Sequence, residues 1–97
     1  MAIQEPVFQN PARDSTNNGT NPYVDGTAQP GTFVTIMESN TYNVLAKVYC
    51  DINGHFSARL NLSGIHNPNP GRMLSIGAYT ENGQEQSGWA RDLQFYL

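Results

Sequence analysis

The chain has 97 residues, 38% of them hydrophobic and only 13% charged, with a net charge of −3. That length suits one domain around a single core. The five basic residues, Arg13, Lys47, Arg59, Arg72 and Arg91, are scattered and form no stripe for nucleic acid or an anionic membrane, and no apolar run approaches the roughly 20 residues of a bilayer span.

Residues 1–6 read as a linker, without the basic start and apolar block of a signal peptide. The domain is expected over residues 7–97. Val7-Phe8, running to Asn10-Pro11, reads as a first edge strand, because proline on both sides suits a strand with one unpaired edge. Residues 12–22 are polar and rich in turn formers and read as a connecting loop. Tyr23 to Ala28 is the second strand. Pro30-Gly31 makes a turn, and Thr32 to Glu38 is the third strand, with Val34 and Ile36 on one face and Phe33, Thr35 and Met37 on the other. Ser39-Asn40-Thr41 makes the next turn.

The middle of the chain carries the clearest pattern. Val44 to Cys50 and His55 to Leu62 both alternate at period two, the mark of half-buried strands. Between them lies Asp51-Ile52-Asn53-Gly54, where Asp and Asn bond nearby backbone N–H groups and Gly takes positive φ freely. This reads as a β-hairpin. Val44, Ala46, Val48 and Cys50 share one face, with Leu45, Lys47 and Tyr49 on the other. Beyond the turn Phe56, Ala58, Leu60 and Leu62 face inward. His55, Ser57, Arg59 and Asn61 face outward. Ser63 to Pro70 is a loop. Arg72 to Thr80 is a strand burying Leu74, Ile76 and Ala78. Glu81-Asn82-Gly83 turns, and Leu93 to Leu97 closes the fold with its odd positions apolar. About seven antiparallel strands without a helix predict an all-β sandwich of two sheets.

Three stretches carry a family resemblance. Gly26-Thr27-Ala28-Gln29-Pro30-Gly31-Thr32-Phe33-Val34-Thr35-Ile36 resembles the G-T-A-x-P-G-x-x-V-x-V opening of bacterial immunoglobulin-like repeat domains. Asp51-x-Asn53-Gly54-x-Phe56-Ser57 resembles their D-x-x-G-x-W/F-S hairpin. Ser75 to Gly83, with Ser87, resembles their A-x-D-x-x-G-x-x-S segment. Thr80 stands where the family usually has Asp, Phe56 replaces the commoner Trp, and the loop before Arg72 is longer. The resemblance implies an immunoglobulin-like sandwich on the bacterial surface or in a secreted protein. It implies a module that spaces or presents neighbouring domains of one parent chain and contacts a host protein, a matrix protein or a glycan.

The sequence assembles no catalyst, and the chain is read as a non-enzyme. There is no Gly-x-Ser-x-Gly elbow, and a nucleophile needs an adjacent base. Cys50 falls on the apolar face while His55 faces outward and His66 sits in a Pro-rich loop. The lone cysteine is read as a buried, inert thiol. Asp51 and Asn53 begin a calcium-loop pattern, but Leu62 stands where an EF-hand has its final Glu. They are carried as metal candidates whose competing role is to cap the turn. One Cys and two His make no zinc spacing. Asn18-Gly19-Thr20 and Asn61-Leu62-Ser63 match the glycosylation sequon, a pattern short enough to arise by chance in an Asn-rich chain.

Aromatic residues remain. Trp89, Tyr49 and Phe33 are the candidate ligand-binding residues, able to stack on a sugar or anchor a protein. Trp89 has the alternative of covering an open end of the core. Outward Phe33, Met37, Tyr49 and Leu45 would form an apolar patch against a neighbour. The leading expectation is a rigid, non-catalytic spacer or adhesive module, monomeric in isolation, that neither binds nucleic acid nor inserts into a membrane. The alternative is a carbohydrate-binding module attached to a secreted enzyme. A small inhibitor or a structural subunit of a phage or secretion assembly is a third.

Overall fold

The computed structural model describes residues 5–10, 12–16, 18–19, 22–39, 41, 43–63, 69–90 and 93–97. His66, Tyr42, Asn40, Thr20 and linker residues 1–4 lie outside these. Among the described residues seven strands form: β1 (Val7–Asn10), β2 (Tyr23–Thr27), β3 (Phe33–Glu38), β4 (Val44–Tyr49), β5 (His55–Arg59), β6 (Met73–Glu81) and β7 (Leu93–Tyr96). They are antiparallel, in a three-stranded sheet of order β1-β2-β5 and a four-stranded sheet of order β4-β3-β6-β7. The expected all-β sandwich is present, each strand within a few residues of its predicted place.

The period-two pattern builds the core between the sheets. Val24, Phe56, Ala58, Leu60 and Leu62 come from one side, and Val34, Ile36, Leu45, Leu74, Ile76, Ala78 and Phe95 from the other. Fully burying one such aliphatic or aromatic side chain stabilises the fold by about 1.5–3 kcal/mol. Around this core the turns fall where expected. Thr32 Oγ1 donates to Gln29 O at 2.7 Å across the Pro30-Gly31 turn, where Gly31 has φ 80°.

The expected central hairpin is corrected. The strands flanking Asp51-Ile52-Asn53-Gly54 do not pair with each other. β4 pairs with β3, and β5 pairs with β2. The Asp-x-Asn-Gly stretch is a β-arch that carries the chain from one sheet to the other. Its local chemistry is as predicted: Asp51 Oδ1 accepts from Asn53 N and His55 N, both at 2.9 Å, and Gly54 has φ 81°. Turn chemistry fixes these few residues alone. It leaves open which strands the two flanking segments pair with, since either arrangement buries the same apolar faces. In a constant-type immunoglobulin sandwich the fourth strand pairs with the fifth in the first sheet; here it has moved to the second.

A bulge makes the other correction. Ile36 lies opposite Ala46, but Met37 lies opposite Val44. Leu45 is the extra residue, and an extra residue shifts which side chains face inward. Leu45 is therefore 3% exposed and Val44 58% exposed, the reverse of the predicted faces, and Leu45 leaves the expected outer patch.

The loop after β1 has a structural task. Asp14 N donates to Gln94 O (2.7 Å), Tyr96 N to Ser15 O (2.8 Å) and Asn18 N to Tyr96 O (3.3 Å). Asp14, Ser15 and Asn18 thus lie along the edge of β7 in the other sheet, covering its backbone groups as edge protection requires. Gly26 explains how β1 docks: a Cβ there would collide with Val7 O.

Candidate binding face on the four-stranded sheet

The outward face of β4-β3-β6 is built in rows set by the strand register. Tyr49, Phe33 and Glu81 form one row, Lys47, Thr35 and Tyr79 the next, and Val44, Met37 and Gly77 the third. Odd positions of β3 and β6 face outward because their even neighbours, Val34, Ile36, Ala78 and Thr80, are buried.

Phe33 and Tyr49, two of the three predicted binding residues, touch edge to face at 5.1 Å between centroids, with planes 70° apart. Both remain exposed. Lys47 Nζ lies 5.4 Å from the centre of the Phe33 ring and 3.0 Å from Glu81 Oε1. This ion pair joins β4 to β6, so it crosses above β3 between Phe33 and Thr35. Exposed pairs of this kind contribute about 0–1 kcal/mol, so a ligand can displace the bridge at small cost.

Trp89, the third predicted residue, sits elsewhere than expected. Ser87 N donates to Thr80 O (2.8 Å) and Ala90 N to Ala78 O (2.7 Å), so residues 86–90 run beside β6 and turn Trp89 onto its outer face. It does not close an end of the core. The indole lies over Gly77, where any Cβ would strike the ring. A glycine inside a strand marks close approach of this kind, and an aromatic beside it restores the missing contact. Trp89 is 38% exposed and its ring centroid is 6.4 Å from that of Tyr79, the planes tilted by 34°. All three predicted aromatics therefore share one face, although Trp89 is separated from Phe33 by Thr35 and Tyr79.

Thr35 lies at the middle of this face and is 4% exposed. Among the described residues its Oγ1 has no hydrogen-bond partner. Sequence reasoning missed Thr35, Lys47, Glu81 and Gly77 as site residues and left Tyr79 unassigned. Parity marks Thr35, Tyr79 and Glu81 as outward, but only the strand order β4-β3-β6 brings them together.

The predicted metal candidates are placed differently. Asp51 Oδ1 is engaged by two backbone N–H groups, as described for the arch, and Asn53 is exposed beside it. A shallow hollow of about 360 Å³ opens nearby, lined by Asn10, Asp25, Asp51, His55 and Ser57 among others. In it Asn10 Nδ2 donates to Asp25 Oδ1 at 3.1 Å. Among the described residues no three His, Cys, Asp or Glu side chains are grouped to hold a metal ion. Cys50 is fully buried, its Sγ 3.5 Å from Ala28 O. Burial, with the Asp51 carboxylate next to it, pushes the thiol above its ordinary value of 9.0. His55 is exposed and on the far side of the arch, so the two form no nucleophile–base pair.

The sequons also separate. Asn18 Nδ2 is committed to Ser15 O, Ser15 Oγ and Tyr96 O. Asn61 is exposed, its Oδ1 accepting from Ser63 N at 3.1 Å.

No protein-family model matches this chain, and no curated protein matches its sequence. The rigid aromatic face is what the molecule itself offers as a site.

Proposed function

We propose that this chain is a non-catalytic immunoglobulin-like module of a bacterial surface or secreted protein. It holds its neighbours at a fixed spacing and makes adhesive contacts through the outer face of the four-stranded sheet. The observation that supports this is the set of exposed side chains Tyr49, Phe33, Val44 and Trp89 on one face. Large aromatic residues on a rigid surface are the usual anchors of an interface, and strands hold them more accurately than loops do.

The test is adhesion to immobilised matrix proteins and to protein-free glycan surfaces, with wild type and Phe33→Ser/Tyr49→Ser compared. Loss of adhesion in the variant, with its thermal unfolding still cooperative, supports the reading. Equal adhesion by both proteins sinks it. The tilted Tyr79–Trp89 pair favours a second reading, the carbohydrate-binding module attached to a secreted enzyme, because two neighbouring half-exposed rings offer a stacking platform.

A further inference from the structure

The hydroxyl of Thr35 is out of place for a purely structural face. It is buried, yet it points away from the hydrophobic core and has no hydrogen-bond partner among the described residues. Leaving such a group unsatisfied lowers stability, and valine would fill the same volume, suit the strand better and avoid the loss. Its surroundings are specific. Phe33 and Tyr79 are its aromatic neighbours along and across the strands, and Trp89 lies beyond Tyr79. Lys47 stands on one side and reaches over β3 to Glu81.

We propose that Thr35 marks a slot for an uncharged saccharide, closed in the free protein by the Lys47–Glu81 bridge. When the bridge parts, three polar groups are presented together: a donor on Lys47, acceptors on Glu81, and on Thr35 a hydroxyl that does both. A sugar hydroxyl donates and accepts in the same way and pairs with all three. The sugar's C–H face rests on Tyr79 and Trp89. The charges of Lys47 and Glu81 cancel, so the site matches a neutral ligand and leaves the charge of a phosphorylated or strongly acidic one uncompensated. A peptide matches less well, since its backbone groups seek a sheet edge and this site is the centre of a sheet face. The inference rests on the reading of this face as a contact surface and narrows it to a ligand class.

The experiment titrates the full chain with cellohexaose, mannohexaose and chitohexaose, and with hexagalacturonic acid as the charged arm, following Trp89 emission and amide NMR shifts of Thr35, Lys47 and Glu81. At least one neutral oligosaccharide is expected to shift both, and the acidic one to shift neither. Thr35→Val is expected to melt higher than wild type while binding about tenfold more weakly, and Thr35→Ser to bind like wild type. A hydroxyl merely stranded in the fold raises the melting temperature on removal but leaves binding untouched, and that result overturns the proposal. So does a panel in which no neutral sugar moves Trp89, or in which the acidic one binds best. If Thr35→Val fails to fold, Thr35→Ser and Glu81→Gln carry the comparison, and Glu81→Gln binding as tightly as wild type overturns the proposal. If no sugar binds while Phe33→Ser/Tyr49→Ser still abolishes adhesion to protein surfaces, the slot is wrong and the contact face stands.

Discussion

Gly77 is the residue on which the face depends most directly. Its missing side chain is the space Trp89 occupies. Gly77→Ala must push the indole off the sheet, and the expected cost is about 1–3 kcal/mol, the range for overpacking. Trp89 emission should move to longer wavelength in the same variant; unchanged emission would show that the ring is held by other contacts. Cys50 gives a second expectation. Its folded thiol keeps its proton to higher pH than the unfolded thiol does. The stability this contributes is complete below the unfolded value of 9.0 and fades as pH rises from there through the folded value. The melting-temperature difference between wild type and Cys50→Ala should therefore narrow as pH is raised past 9.0, and a thiol reagent should modify the native protein only as fast as it opens. Neither point could be read from the sequence in full. The burial of Cys50 followed from its parity, whereas nothing in the sequence marked Gly77 as the seat of Trp89.

At the scale of elements, Asp51 holds the arch by two hydrogen bonds to backbone N–H groups. Asp51→Ala should lower stability by about 0.5–2 kcal/mol, the range for losing an exposed side chain that caps backbone N–H groups. Added calcium, set against a chelator, should leave the wild-type melting temperature unchanged, because one carboxylate oxygen is already committed to the turn and calcium needs six or more oxygens. A clear rise in melting temperature would restore Asp51 and Asn53 as metal ligands. This element also marks the limit of what was legible. Alternation made the strands and most inward faces readable, and Phe56, Ala58, Leu60 and Leu62 all face the core as expected. The same alternation could not say whether β5 returns beside β4 or crosses to the opposite sheet, since both choices bury the same side chains. The bulge at Leu45 was hidden for a related reason: Val and Leu adjacent in sequence fit either phase.

On the scale of the whole molecule, most pairings join distant parts of the chain. β1-β2-β5 and β3-β6 are brought together across long loops, so folding is expected in milliseconds to seconds, the range of β-sandwiches with mostly non-local contacts. Stopped-flow Trp89 fluorescence measures it; microsecond folding would contradict this topology. The binding face was legible as a set of residue types but not as a place, because the juxtaposition of Lys47, Thr35 and Glu81 exists only once three strands are aligned. The contact of Asp14, Ser15 and Asn18 with β7 has a consequence for synthesis. The bond from Asn18 to the carbonyl of Tyr96 joins positions 78 apart. During translation that staple cannot close until Tyr96 has left the ribosome. This domain should therefore stay protease-sensitive in nascent chains until Tyr96 has emerged and become resistant in a single step after it. A chain stalled before Tyr96 emerges would present this domain as an unfolded one, whatever strands precede it.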